Sequence, residues 1–128
     1  MIKPSSKSNT ATLVVIDGAG RPMGRLATEA ALALRNKHQA SFAPHLFPNV
    51  RVVIKNIDQI ALTGRKRTDK LYWHFTGFPG GMRLIPFDKM FQRDPRLAVR
   101  RAVRGMLPKN RQRDKILKNL VLFRGEKA

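Results

Sequence analysis

Cysteine is absent from this sequence, and so are long apolar runs. Without cysteine the chain has no disulfide framework and no cysteine-ligated zinc or iron–sulfur site. No apolar run approaches the roughly 20 residues of a membrane-spanning helix, and no apolar stretch follows the first basic residues, as it would in a secretory signal. The three histidines, His38, His45 and His74, lack the spacing of metal ligands, so we expect no metal.

Acidic residues are also few. Eight Asp and Glu stand against 26 Lys and Arg, which gives a formal net charge of +18. The acids are scattered and no nucleophile or metalloprotease motif occurs, so we predict that the protein is not an enzyme and needs no cofactor. The basic excess predicts a polyanionic partner: nucleic acid, an anionic membrane surface or an acidic protein.

The 128 residues suffice for one domain. Residues 1–10 are polar, which predicts a flexible tail, and residues 11–128 are predicted to form a single α/β domain. Strands are expected over Leu13–Asp17, Arg51–Lys55, Ile60–Leu62, Leu71–Phe75 and Val121–Phe123, and helices over Gly24–Asn36, Phe87–Gln92, from Pro95 to Leu107 and from Pro108 onwards. The strand–helix–strand order indicates a sheet with parallel neighbours, followed by a basic helical C-terminal part.

The turn GAGRPMG lies between the first strand and the first helix, where a phosphate-binding loop belongs. Gly18, Gly20 and Gly24 have the wrong spacing for a dinucleotide site, and no acidic residue follows at a strand end about twenty positions later. A tight turn explains the glycines, while Arg21 and Arg25 beside the helix start are candidates for RNA contact. The two interpretations are compatible, and both stay open.

Basic residues gather at two further places in the first two thirds of the chain. Lys37 and His38 follow the first helix, where cations stabilise the helix end and can equally contact phosphate. A second cluster precedes the aromatic strand and consists of Arg65, Lys66, Arg67 and Lys70. We predict that this cluster and the glycine-rich segment after the strand contact RNA. For the aromatic strand core packing is favoured, with one face free to meet RNA.

The stretch PRLAVRRAVRGML is the clearest amphipathic helix. Its apolar face is predicted to hold Val99, Ala102, Val103 and Met106. Its other face carries an i, i+4 row of Arg96, Arg100 and Arg104, flanked by Arg101. Like charges at this spacing destabilise a helix slightly, and an RNA backbone facing the row would relieve the repulsion. A membrane surface is the alternative, but the apolar face has small residues and no aromatic anchor. The basic surface continues through Lys109, Asn110, Arg111 and Arg113.

Three strings of the sequence resemble one family. They are VVIDGAGRPMGRLATEAALALRNKHQASFAPH, LTGRKRTDKLYWHFTGFPGG and AVRRAVRGMLPKN, and they run in order from Val14 to Asn110. The chain resembles the L-thirteen family of bacterial-type large-subunit ribosomal proteins. The resemblance implies a three-layer α/β domain, with a mostly parallel sheet and helices on both faces. It implies that the domain binds large-subunit rRNA and supports subunit assembly beside neighbouring ribosomal proteins, in a bacterium or an organelle of bacterial origin.

The resemblance also carries RNA contacts onto particular residues. They are Arg25, His38, Lys66, Lys70, Tyr72, His74, Thr76, Gly77, Gly80, Gly81, Gly105, Lys109 and Asn110. The sequence departs from the family pattern where Asn36 replaces a glycine, where residues 46–49 replace an acidic turn, where a tryptophan before the first strand is missing, and after Asn110. Two other functions stay open: a free RNA-binding regulator or RNA chaperone, and a small nucleotide-dependent enzyme that uses the GAGRPMG turn.

Overall fold

The computed structural model describes residues 11–126, so the tail predicted over residues 1–10 lies outside the described residues. In chain order the elements are β1 (Thr12–Asp17), α1 (Met23–Leu34), β2 (Val50–Lys55), a 3₁₀ turn (Ile57–Gln59), α2 (Lys66–Asp69), β3 (Leu71–Phe75), β4 (Met82–Pro86), α3 (Phe87–Arg93), α4 (Pro95–Met106), α5 (Arg113–Leu117) and β5 (Leu120–Leu122). Within this range no helix is long and apolar enough to cross a membrane.

The main sheet is parallel and has the strand order β1-β2-β5. Its central strand, β2, is buried at Val52, Val53 and Ile54, so side chains of both faces are covered. A continuous β-branched run is what a central parallel strand requires, because both of its faces are packed. The predicted α/β class and the parallel sheet are therefore confirmed.

The core lies between one face of this sheet and the helices α1 and α4. Its buried side chains include Ile16, Leu26, Val52, Ile54 and Val99. On the opposite face, Leu13 is 61% and Val15 is 52% exposed. Within residues 11–126 that face is thus open at β1, and the three-layer arrangement implied by the resemblance stays a prediction.

Helix α1 ends at Leu34, two residues before the predicted end. The amide of Asn36 donates to the carbonyl of Ala33 (2.9 Å), and that of Lys37 donates to the carbonyl of Leu32 (3.2 Å). Asn36 has a φ of 56°, the left-handed conformation that such a helix end requires and that asparagine tolerates. Asn36 can therefore stand in the place of the family's glycine.

Some predicted elements are corrected by the structure. The strand predicted over Ile60–Leu62 is wrong, because the preceding 3₁₀ turn redirects the chain and leaves only a single bridge between Ala61 and Pro22. The helix predicted to start at Pro108 begins only at Arg113. The predicted basic loop contains the short helix α2, and β4, which was not predicted, pairs with β3 as an antiparallel hairpin.

Candidate nucleic-acid interface

The three sequence strings that resemble one family meet at a single cleft. It lies between the first turn of α1, residues 61–70 and the outer side of α4, and it has a volume of about 340 Å³. The first string contributes Gly24, the second contributes Lys66 and Lys70, and the third contributes Arg101 and Gly105. Sequence segments far apart in the chain thus form one surface feature.

The charge of the cleft is uniformly positive. Lys66, Lys70 and Arg101 line it, and no Asp or Glu does. None of these three cations forms an ion pair with a residue of the described range. Converging cations without a carboxylate produce a positive potential that attracts an anion, so the cleft is suited to phosphate.

The ring of Tyr72 supports two of these cations. The ammonium of Lys70 lies 5.5 Å from the ring centroid, and the guanidinium carbon of Arg101 lies 5.1 Å from it. Both distances fall in the range of cation–π attraction. The ring in turn packs beside Phe87 of the core, with centroids 6.1 Å apart. The side of the cleft that Lys70 and Arg101 form is therefore supported by the core.

The hydroxyl of Tyr72 is buried and has no hydrogen-bond partner within residues 11–126. Burial raises the pKa of Tyr72, and the nearby charge of Arg101 opposes that effect. The predicted RNA contact of Tyr72 stays a prediction. In the structure its ring lies beneath Lys70 and Arg101, where it can position the two cations.

Core packing was predicted for the aromatic strand, and the structure shows it for Tyr72 but not for Trp73 and Phe75. Trp73 is 67% and Phe75 is 53% exposed, because the hairpin has only two strands. Their cross-strand partners are Leu84 and Met82, and with Leu71 these side chains form an exposed apolar strip. We call the set Leu71, Trp73, Phe75, Met82 and Leu84 the hairpin strip.

The glycines of the hairpin loop are required by the loop itself. Gly77 and Gly80 have φ values of 88° and 71°, which L side chains rarely adopt. A Cβ at Gly81 would collide with the side chain of Thr76 and lie 2.9 Å from the carbonyl oxygen of Phe78. A side chain at Gly81 would therefore clash within the protein itself, whether or not RNA is bound.

The structure explains why the first two glycines of the GAGRPMG turn are glycine. The amide of Gly18 donates to the carbonyl of Lys55 (2.9 Å), and a Cβ at Gly18 would lie 2.9 Å from that oxygen. Gly20 has a φ of 67°. Arg21, a predicted RNA contact, lies 2.8 Å from Glu29 in an ion pair. The tight-turn interpretation thus accounts for Gly18 and Gly20.

The predicted arginine row lies on the exposed side of α4, but its members differ. Arg96 contacts Asp94 (3.2 Å), whose carboxylate also accepts from the Arg96 amide and caps the helix. Arg104 lies 3.4 Å from Asp114. Arg100 forms no ion pair within the described range and borders the same shallow depression as Asp114. Arg100 is therefore the member with its charge most available.

The other predicted contacts do not line the cleft. Those with largely exposed side chains are Arg25, Lys37, His38, Arg65, Arg67, His74, Thr76, Lys109, Asn110 and Arg111. The Nε of Arg113 is buried without a partner in the described range. Near Asn110, the side-chain amide of Gln112 donates to the carbonyl of His45 (3.2 Å). The segment after Asn110, which departs from the family pattern, thus contacts the residue just before the departing segment 46–49.

Several cleft residues were not predicted as contacts, and three of them matter most here. Gly24 was predicted only as part of the turn and the helix start, Met106 was assigned to the buried face of α4 but is partly exposed, and Arg101 was predicted only to flank the row. Successive helical residues differ by about 100° in direction, so Arg101 points away from Arg100. No group of three or more His, Cys, Asp or Glu suited to a metal occurs within residues 11–126.

Comparison with known proteins gives consistent matches. The family model described as ribosomal protein L13 matches residues 11–128. The large ribosomal subunit protein uL13 of Heliobacterium modesticaldum is 46% identical over 112 residues, which cover 88% of this chain and 78% of that protein. The uL13 of Pseudomonas paraeruginosa is 42% identical over 111 residues, which cover 87% and 78%. That of Caldanaerobacter subterraneus subsp. tengcongensis is 41% identical over 125 residues, which cover 98% and 86%.

Proposed function

The chain belongs to the ribosomal protein L13 family, and on that premise we propose how it holds rRNA. It is a structural constituent of the large ribosomal subunit and not an enzyme. The cleft between α1, α2 and α4 is the centre of its rRNA contact, and the surfaces on either side of the cleft extend it. The observation that supports this proposal is the convergence of Lys66, Lys70 and Arg101, with no carboxylate, where the three strings meet.

The proposed contact extends over several surfaces of the domain. Its further members are Arg21, Arg25, Lys37, His38, Arg65, Arg67, His74, Thr76, Gly77, Gly80, Gly81, Arg96, Arg100, Arg104, Gly105, Lys109, Asn110, Arg111 and Arg113. Tyr72 belongs to the set as the support of two cations. Phosphate contacts of this kind fix the position of the domain on folded RNA without reading its sequence.

Counterion release supplies the affinity in this proposal. With roughly 6–10 phosphates neutralised, binding to large-subunit rRNA fragments is expected to weaken by orders of magnitude between about 50 and 200 mM salt. A flat salt titration would contradict the electrostatic account. Cofractionation with large subunits after a high-salt wash separates a stable constituent from a free RNA-binding regulator, which would be released.

The hairpin strip is proposed to contact a neighbouring large-subunit protein. The strip joins five apolar side chains with no charge between them, and exposed apolar patches of this kind mark sites of association. The sheet face at Leu13 and Val15, which no part of residues 11–126 covers, is similarly available for a covering layer. Replacing Trp73 and Phe75 by Ser should leave binding to isolated rRNA fragments unchanged and reduce incorporation into subunits. Equal losses in both assays would indicate base stacking instead.

A further inference from the structure

We infer that the cleft is a built subsite for one rRNA nucleotide, turned out of its stack, whose phosphate meets Lys66, Lys70 and Arg101. The inference rests on the proposed function, since it names what the centre of the rRNA contact receives. Besides the three cations, the subsite includes the space that Gly24 and Gly105 leave open on the facing helices α1 and α4. The three cations hold the charge, and the two glycines leave space for the sugar and base.

Within residues 11–126, neither backbone conformation nor crowding explains why these two positions are glycine. Gly24 lies in the first turn of α1 and Gly105 in the last turn of α4, and neither has a positive φ. A Cβ built at either position meets no atom within 4 Å. Alanine is the better helix former at such positions, so the fold alone favours a side chain there. Both residues line the cleft, where an added methyl group would occupy its space.

The rest of the lining fits the same ligand. Leu62, Ala102 and the partly exposed Met106 give the cleft an apolar portion beside its cationic wall. A nucleotide presents the matching combination, an anionic phosphate joined to a sugar and a base with apolar faces. The volume of about 340 Å³ lies at the lower end of the roughly 300–1,000 Å³ range of small-ligand sites, which suits one residue of a polymer.

The same features argue for a nucleotide that is part of RNA. The cleft has no carboxylate to bind a metal ion or the ribose hydroxyls, groups on which sites for free nucleotides depend. The turn before α1 uses Gly18 and Gly20 for its own geometry. A nucleotide within an RNA chain is also positioned by the contacts that the adjacent nucleotides make, so a shallow subsite is sufficient to bind it.

The experiment uses the full chain with Gly24→Ala, Gly105→Ala and, as a matched control, Gly125→Ala. Gly125 also has an open Cβ position and no positive φ, but it lies outside the cleft. Both cleft variants should melt at or a few degrees above the wild-type temperature. Their affinity for transcribed large-subunit rRNA should fall by about tenfold or more. The control should match the wild type in binding.

Two results would overturn the subsite. If the cleft variants bind rRNA like the wild type, no nucleotide occupies the space beside the two glycines. If the variants melt at a clearly lower temperature, the glycines are needed for the fold. A third assay adds AMP or inorganic phosphate to the free protein and follows the amide resonances of Gly24 and Gly105. Saturation by either at micromolar concentration would instead assign the cleft to a free ligand.

Failure of the subsite and failure of the proposed function are distinguishable. Arg101→Gln and Lys66→Gln remove positive charge from the cleft and leave Gly24 and Gly105 unchanged. If these variants weaken binding and the alanine variants do not, the cleft contacts rRNA without admitting a nucleotide. If the wild-type protein itself shows no salt-dependent binding to rRNA, the proposed function fails.

Discussion

The side-chain amide of Asn56 donates to Oδ1 of Asp17 at 2.9 Å and joins the ends of β1 and β2. The backbone N–H of Ala19 donates to the same oxygen at 3.0 Å. These hydrogen bonds, that of Ala19 first, hold the pKa of Asp17 below its ordinary value of 3.8. The carboxylate therefore fastens the turn that leads from β1 into α1.

The lowered pKa predicts a particular acid response. Because the pKa of Asp17 is lower in the folded state, its contribution to stability is fully present above the unfolded value and is lost as the pH falls through the folded value. The melting temperature of the wild type should thus fall more steeply below about pH 4 than that of Asp17→Asn. Asp58→Asn, at an exposed residue of the 3₁₀ turn, is the control. Parallel melting curves for wild type and Asp17→Asn would contradict the assignment.

Tyr72 should act through its ring and not through its hydroxyl. Since the hydroxyl is buried without a partner in the described range, Tyr72→Phe should leave stability equal or slightly higher, with unchanged rRNA affinity. Tyr72→Leu removes the ring beneath Lys70 and Arg101 and should weaken binding severalfold. Thermal melts and filter binding measure the two effects. If Tyr72→Phe alone weakens binding, the hydroxyl contacts RNA in the complex.

Gly81→Val should alter the hairpin loop before any effect on RNA. The amide of Thr76 donates to the carbonyl of Gly81 (3.1 Å), and the amide of Gly81 donates to that of Phe78 (2.9 Å). The added side chain collides with this turn, so hydrogen exchange at these amides should accelerate while the main core stays folded. Unchanged exchange combined with poor subunit incorporation would place the clash on the RNA side.

A charge reversal at Arg100 should reduce rRNA binding without reducing the stability of the free domain. In Arg100→Glu the new carboxylate lies four residues from both Arg96 and Arg104, and such pairs contribute roughly 0.2–0.5 kcal/mol each. The free domain should therefore keep its melting temperature while rRNA affinity falls. Arg104→Glu also removes the exposed ion pair with Asp114, which costs up to about 1 kcal/mol.

The opposite face of α4 supplies the control for that experiment. Val103 is fully buried, so Val103→Asp places an unpaired charge in the core and should lower stability by several kcal/mol. A melting curve and a binding curve for each variant measure both properties. If Arg100→Glu melts early and binds normally, the exposed side of α4 serves the fold and not the RNA.

The sequence by itself determined those helices and strands whose apolar side chains repeat at regular intervals and pack into the one core. The β-branched run of β2 predicted a buried strand of the sheet, and the apolar periodicity of α4 predicted the burial of Val99 and Val103, because side chains that pack into a core recur with the period of their helix or strand. The charge of +18 predicted a polyanionic partner for a similar reason, since net charge is additive and needs no coordinates. The long motif strings identified the family.

Only the tertiary structure decided which of these residues act together. Arg101, which flanks the arginine row, lines the cleft because α4 packs against α1 and brings Arg101 to the same cleft as Gly24. No residue spacing within one helix predicts such packing between two helices. Trp73 and Phe75 stayed exposed because the hairpin pairs only with itself, whereas residue type alone favoured burial. Gly81 is constrained by Thr76, whereas no atom of the described residues outside its own helix crowds Gly24. Such distinctions depend on the space around a residue, which is set by segments distant in sequence.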